Sequence, residues 1–130
     1  MSYLYHGTMT ADIKVLNANS YSHTTNSSVV YLTPNRAYAL FYIRDKNINW
    51  VTCAVNKEGV VIYHENFPNQ LEKLYKGISG YIYGCTYDDV FKETPTTDVW
   101  QTDNSVIIYK TEYISDVYDV DTPYSLLNIV

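Results

Sequence analysis

Several common catalytic signatures are missing from this chain of 130 residues. It contains no glycine-rich phosphate loop, no G-x-S-x-G turn and no H-E-x-x-H spacing. These patterns are typical of P-loop and Rossmann enzymes, α/β-hydrolases and zincins, so their absence argues against all four classes. The histidines His6, His23 and His64 are too scattered to indicate a metal site, and we expect no metal cofactor.

Cysteine and long apolar runs are scarce as well. Cys53 and Cys85 lie in strand-like apolar segments without C-x-x-C spacing, so we expect buried free thiols rather than a zinc site or a disulfide framework. The chain has no run of 18 apolar residues, and its first residues lack a basic region followed by an apolar stretch. These observations predict a cytoplasmic protein without a membrane partner.

Positive charge is also in short supply, because the formal net charge is −5. A general attraction to nucleic acid or to anionic membranes is therefore not expected. Residues 1–87 carry seven basic and five acidic side chains, whereas residues 88–130 carry two basic and nine acidic ones. The slightly positive first part can accept a small anionic ligand such as a dinucleotide. The acidic last third disfavours nucleic acid, and its simplest interpretation is a solvated acidic face.

Tyrosine, in contrast, is abundant at 15 residues, and 46% of the chain is hydrophobic. This length and composition predict a single domain over residues 1–130. Tyrosine favours strands and half-wet surfaces, so we expect a strand-rich protein with a polar aromatic cleft. The alternative is that an AT-rich genome raised the tyrosine count.

The pattern along the chain predicts one α+β domain with two or three small helices. Strands are expected at residues 2–6, 29–32, 49–56, 60–64, 80–87 and 105–110. One helix is expected to begin with Thr33 as its N-cap and Pro34 as its first helical residue. A second helix is expected within residues 68–78. Residues 112–121 predict one more strand or a short helix, and residues 124–129 a final turn or helix. The polar residues 17–28 form a long loop and a candidate lid.

Two segments carry the chemistry that the chain does offer. In YLYHGT, at residues 3–8, a strand delivers His6 next to a glycine, which lets a planar ligand lie against the backbone. In VYLTPNRAYALFY, at residues 30–42, a strand runs into a helix that carries aromatic rings and Arg36.

Together these segments resemble the ADP-ribosyltransferases of the diphtheria-toxin and poly(ADP-ribose) polymerase type, including small bacterial and phage members. The first family motif is an aromatic or apolar residue followed by His, Gly and Ser or Thr, which residues 5–8 match. The second, apolar-Tyr/Phe followed by Ala-x-x-Tyr/Phe, is matched by residues 30–42. The resemblance implies a compact split β-sheet core with two or three short helices.

The resemblance also implies which residues of the first motif bind NAD. His6 would contact a ribose, the backbone of Gly7 would hold the nicotinamide amide, and Thr8 completes the motif. In the second motif, Tyr31 or Tyr38 would pack on the nicotinamide ring. The guanidinium of Arg36 is well suited to the pyrophosphate of a dinucleotide.

A third family motif places a catalytic carboxylate at the start of a late strand. If that strand begins at Ser105, a serine occupies this position. Glu112 is followed by Tyr113 and Ile114, which resembles the family's Glu-Tyr-Ile more closely. Glu112 is therefore the first candidate for this carboxylate and Asp103 the second, and Asp98 is also nearby in sequence. Such a carboxylate stabilises the oxocarbenium-like centre that forms when the nicotinamide–ribose bond breaks.

The resulting expectation is a mono-ADP-ribosyltransferase that uses NAD as substrate, with Glu112, Asp103 and His6 as catalytic candidates. One alternative is a module of the same fold that binds or sequesters NAD or an ADP-ribose-type nucleotide without turnover. Another is a protein-interaction module with a tyrosine-rich surface. The acceptor, whether protein or nucleic acid, and the oligomeric state stay open.

Overall fold

A computed structural model of the chain describes residues 3–18, 20–22, 27–45, 52–86, 90–119 and 127–129. Over these ranges the protein is mostly β, with two short helices and several small, largely antiparallel sheets. The strands are β1 (Tyr3–Thr8), β2 (Val15–Leu16), β3 (Ser20–Ser22), β4 (Ser27–Leu32), β5 (Thr52–Val55), β6 (Val61–His64), β7 (Gly80–Thr86), β8 (Lys92–Glu93), β9 (Trp100–Thr102), β10 (Val106–Ile107), β11 (Lys110–Ile114) and β12 (Leu127–Ile129). The helices are α1 (Arg36–Leu40) and α2 (Gln70–Tyr75). This architecture is compatible with the expected α+β class. None of the helices in the described ranges is long and apolar enough to cross a membrane.

The sheet that organises the molecule has the strand order β1-β7-β11 and is antiparallel throughout. Its central strand β7 is buried along most of its length, because a separate hydrophobic core packs on each face. Ile82 points to the core that contains α1, α2 and the β5-β6 hairpin, whereas Cys85 points to the core that contains β2, β4 and β10. The period-2 alternation of a strand likewise directs the neighbouring residues Leu4 and Tyr5 of β1 to opposite cores.

A second sheet, in the order β3-β4-β9-β8, meets the first sheet at one point. Tyr5 of β1 and Thr33, directly after β4, exchange two backbone hydrogen bonds of 2.7 and 2.9 Å. Among the described residues this bridge is isolated, so β1 and β4 separate on either side of it.

The bridge also explains why α1 begins later than predicted. Thr33 is not the N-cap, because its backbone is committed to Tyr5. Asn35 caps the helix instead, with its side-chain oxygen accepting from the backbone N–H of Tyr38 at 3.1 Å. The helix ends at Leu40, and the chain continues in tight turns up to Ile43. The helix expected after Thr33 thus has five residues.

Other predictions are confirmed or corrected strand by strand. The hairpin across residues 57–59, the second helix and the strand at residues 80–87 are confirmed as β5-β6, α2 and β7. The expected strand at residues 105–110 is divided, because β10 pairs with β2 whereas Tyr109, whose N–H donates to the oxygen of Gly84 at 3.0 Å, leads into β11 beside β7. Residues 127–129 form a strand parallel to β6 rather than a helix.

The described part of the candidate lid at residues 17–28 is largely strand. Residues 20–22 form β3 and pair with the start of β4, so these parts belong to the second sheet. Residue 19 and residues 23–26, including His23, lie outside the described residues.

Candidate functional site

A pocket opens where β1 and β4 separate beyond the Tyr5–Thr33 bridge. This inner pocket has a volume of about 130 Å³. Its lining consists of Tyr5, His6, Gly7, Tyr31, Leu32, Thr33, Tyr38, Ala39, Tyr42 and Val99. Four of the predicted site residues, two from each sequence motif, therefore line one pocket: His6, Gly7, Tyr31 and Tyr38.

His6 bridges the two strands with its side chain where their backbones no longer pair. Its Nδ1 lies 2.9 Å from the backbone oxygen of Tyr31. A carbonyl oxygen can only accept, so Nδ1 carries the proton and, in the neutral ring, Nε2 is left as an acceptor. Burial lowers the pKa of His6, although the bond to Tyr31 opposes this shift. At neutral pH His6 is thus an uncharged group that accepts a hydrogen bond from a hydroxyl or amide donor.

Gly7 is required by the packing of α1 against β1. A Cβ atom at this position would lie 2.0 Å from the backbone oxygen of Ala39. The backbone of Gly7 also faces the pocket edge, because N–H and C=O groups of alternate residues in an antiparallel strand point the same way. Tyr5 directs both groups to Thr33, so Gly7, two residues further on, directs its own to that edge.

Two tyrosines of the second motif form an aromatic wall. The hydroxyls of Tyr38 and Tyr42 are 2.9 Å apart, and their rings meet edge to face with centroids separated by 5.2 Å. Burial, first of all, raises the pKa of Tyr38, and the neighbouring Tyr42 adds to the rise, so the Tyr38 hydroxyl stays protonated near neutral pH. Asn35 anchors this wall by donating from Nδ2 to the backbone oxygen of Gly59 at 3.0 Å.

The inner pocket continues into a wider outer groove of about 550 Å³. The outer groove is lined by Tyr31, Tyr38, Tyr42, Thr94, Pro95, Thr96, Val99 and Gln101. Its outer wall is the turn between β8 and β9, where Thr94 and Val99 are joined by a backbone bond of 3.0 Å and a side-chain bond of 2.8 Å. Over the described residues, the lining of the inner pocket and the outer groove contains no carboxylate, lysine or arginine side chain, and its histidine, His6, is uncharged at neutral pH.

Arg36 and Glu112 do not line the pocket but bind each other. Arg36 Nε donates to Glu112 Oε1 at 2.9 Å, and its terminal nitrogen donates to the second carboxylate oxygen, which makes a two-pronged ion pair. The hydrogen bond to Arg36 lowers the pKa of Glu112, and the same bond raises the pKa of Arg36. Arg36 is thus engaged by a carboxylate rather than presented to the inner pocket.

The sheet register separates Glu112 from His6. Gly7 and Glu112 both pair with Ile82, so their side-chain positions share the face that packs on α1. His6 pairs with Tyr83 and projects from the opposite face. Two strand spacings of about 4.8 Å separate β1 from β11.

The other predicted residues lie outside the pocket lining. Thr8 pairs with Tyr81 at the end of β1, and its hydroxyl accepts from the N–H of Thr10 at 3.2 Å. Asp103 is exposed and borders a separate depression of about 60 Å³. Asp98 has a left-handed backbone, with φ of 59°, in the turn between β8 and β9.

Sequence reasoning missed part of the site. Tyr42 lies four residues after Tyr38, and this helical spacing could have indicated that both side chains share one wall. Val99 and Gln101 gave no such signal, because they reach the site only through the pairing of β9 with β4, in which Gln101 lies opposite Tyr31.

No metal cluster is present in the part of the chain that the structure describes: no three or more His, Cys, Asp or Glu side chains lie together in a way that could hold an ion. Comparisons of the chain with protein-family models, with curated proteins and with solved structures find no match. The functional interpretation therefore rests on the residues of the site.

Proposed function

We propose that this protein binds NAD or an NAD-derived nucleotide in the inner pocket, within a split sheet of the ADP-ribosyltransferase type. One observation carries the proposal: His6 and Gly7 of the first motif line the same pocket as Tyr31 and Tyr38 of the second. The motifs are about 25 residues apart in sequence, as the His6–Tyr31 separation shows. Aromatic walls with a few convergent polar groups are typical of small-molecule sites.

The groups of the pocket match the nicotinamide riboside end of such a ligand. The edge of Gly7 offers an N–H donor and a C=O acceptor, which complement the oxygen and the NH₂ group of a carboxamide. The aromatic wall of Tyr38 and Tyr42 suits a planar ring. The Nε2 acceptor of His6 suits a ribose hydroxyl.

Binding without turnover is the function that this geometry supports best. Ribosyl transfer breaks the bond between C1′ and the nicotinamide nitrogen, and the electron pair leaves with nicotinamide while an acceptor nucleophile bonds to C1′ and releases its proton. The described lining holds no carboxylate to stabilise the developing cation, and Glu112 is bound by Arg36. We therefore propose a nucleotide-binding or sequestering module.

Mono-ADP-ribosyl transfer is the second candidate function. It is favoured by the position of Glu112, because Glu112 and Gly7 both pair with Ile82 from opposite sides of β7. Transfer would require Glu112 to exchange Arg36 for the ribose. Release of nicotinamide separates the two candidates, since only the transferase produces it.

Calorimetric titration with NAD and ADP-ribose, followed by chromatography for free nicotinamide, tests the proposal. We expect saturable binding of NAD that His6→Ala weakens, whereas the matched control His64→Ala, at an exposed strand end, leaves it unchanged. Heat without nicotinamide supports the binding module, and nicotinamide release supports the transferase. No heat with either ligand at millimolar concentration overturns both and favours the protein-interaction module.

A further inference from the structure

The proposed ligand carries phosphate, yet the described lining of the inner pocket and outer groove has no lysine or arginine side chain. Arg36, the expected phosphate clamp, is engaged by Glu112. Phosphate groups in protein sites are held by cations or by clustered N–H donors. A lysine or arginine that contacts this phosphate would therefore lie just beyond the lining residues.

Arg44 occupies such a position. Its guanidinium carbon lies 5.2 Å from the centroid of the Tyr42 ring, and Tyr42 lines both the inner pocket and the outer groove. The charge of Arg44 also acts on the neighbouring phenol, because it partly opposes the rise in the pKa of Tyr38. The guanidinium is thus packed on the aromatic wall that the inner pocket and the outer groove share.

The guanidinium is held in a fixed orientation. One terminal nitrogen of Arg44 donates to the backbone oxygen of Phe41 at 2.7 Å, and the hydroxyl of Tyr75 donates to the same oxygen at 2.8 Å. Guanidinium has five N–H donors in a rigid fork, so this bond uses only some of them. An arginine orientated in this way loses little conformational freedom when it binds an anion.

We propose that Arg44 is the phosphate contact of the site and makes it selective for phosphorylated nicotinamide ligands over the corresponding nucleoside. This inference rests on the proposed function and adds the residue that recognises the phosphate. Arg44 takes the role that the sequence motif suggests for Arg36. The aromatic wall would hold the ring, and the arginine packed on that wall would hold the charge.

A ligand series that differs in phosphate content tests this inference. The affinities of nicotinamide riboside, nicotinamide mononucleotide and NAD are measured by calorimetry for the natural protein, Arg44→Gln and the control Arg36→Gln. Arg44→Gln should weaken the two phosphorylated ligands about tenfold or more, the scale of one charge-assisted hydrogen bond, and leave the riboside within about twofold. Arg36→Gln should leave the order of the three affinities unchanged.

The opposite results are equally clear. An equal loss for all three ligands would assign Arg44 a structural role, and an unchanged affinity for NAD would assign it none; either result overturns the inference while the proposed function stands. If the natural protein binds none of the three, the proposed function itself fails. If Arg44→Gln does not fold, Arg44→Lys and the salt dependence of binding to the natural protein replace it. The affinity for NAD should then fall with ionic strength more steeply than the affinity for the riboside. Equal slopes for the two ligands would overturn the inference.

Discussion

Gly7→Ala is the substitution that probes the architecture of the site most severely. The added Cβ would lie 2.0 Å from the oxygen and 3.0 Å from the carbon of the Ala39 carbonyl, so backbone must move. Overpacking typically costs 1–3 kcal/mol, and a clash that no rotamer change can relieve belongs at the upper end, about 3 kcal/mol. For a chain of this size that loss lowers the melting temperature by roughly 10 °C.

Gly84→Ala is a matched control on the same face of the same sheet. Its Cβ would meet Lys110 at 3.4 Å and Tyr5 at 3.7 Å, both ordinary contacts with side-chain atoms. We expect its free energy of unfolding to lie within about 1 kcal/mol of the natural value. Urea denaturation followed by far-UV circular dichroism measures both variants. Equal stability of Gly7→Ala and Gly84→Ala would refute the close approach of α1 to β1, and with it the shape of the inner pocket.

Three further predictions concern titration and hydrogen bonding. The folded pKa of His6 lies below the unfolded value of about 6.5, so the unfolded chain binds the proton first and the free energy of unfolding falls as the pH drops below that value. In urea denaturation at a series of pH values, His6→Gln should reduce this loss of stability. The folded pKa of Glu112 is also lowered, so its contribution to stability is present above the unfolded pKa and is lost as the pH falls through the folded pKa; solvent screening limits this contribution to about 1 kcal/mol. In thermal denaturation, Glu112→Gln and Arg36→Gln should each lose that amount of stability, and the double variant should lose no more. Additive losses would contradict the ion pair. Tyr75→Phe removes the buried 2.8 Å bond to Phe41 and should cost about 1 kcal/mol by denaturant titration, since the same carbonyl keeps another donor; no change would mean that the bond contributes nothing.

Local patterns predicted those parts of the fold that depend on neighbouring residues. The alternation in GYIYGCT predicted β7, and Gly59 between two apolar runs predicted the β5-β6 hairpin, where Gly59 has a φ of 80°. Both features are fixed within a few residues of chain. The contact of Tyr38 with Tyr42, four residues later, is equally local, although it was not predicted.

Features that depend on distant partners were not predictable in this way. Thr33 has the residue type of an N-cap, but its backbone pairs with Tyr5, which is 28 positions earlier in the sequence, so the cap moves to Asn35. Nothing in the local sequence of Arg36 reveals that Glu112 binds it from β11. Tertiary pairing overrides local preference at both places, and both lie beside the site.

The site was predicted in its centre and not at its edges. His6 and Tyr31 belong to motifs that pointed to a shared pocket, and they are joined by a 2.9 Å hydrogen bond. Gln101 and Val99 join the outer groove through the β4-β9 pairing, which a single sequence does not reveal. Glu112, the carboxylate that ranked first, lies on β11, and the register places it on the face opposite to His6.

A titration of ¹⁵N-labelled protein with NAD, followed by amide chemical shifts, tests most directly whether the ligand binds in the inner pocket. We expect saturable shifts at Gly7, Tyr31 and Ala39, which line the inner pocket, and none at Gly77, which follows α2 and lines neither the inner pocket nor the outer groove. Saturable shifts centred instead on the exposed tyrosine Tyr113 of β11, or no shifts at millimolar NAD, would contradict this expectation.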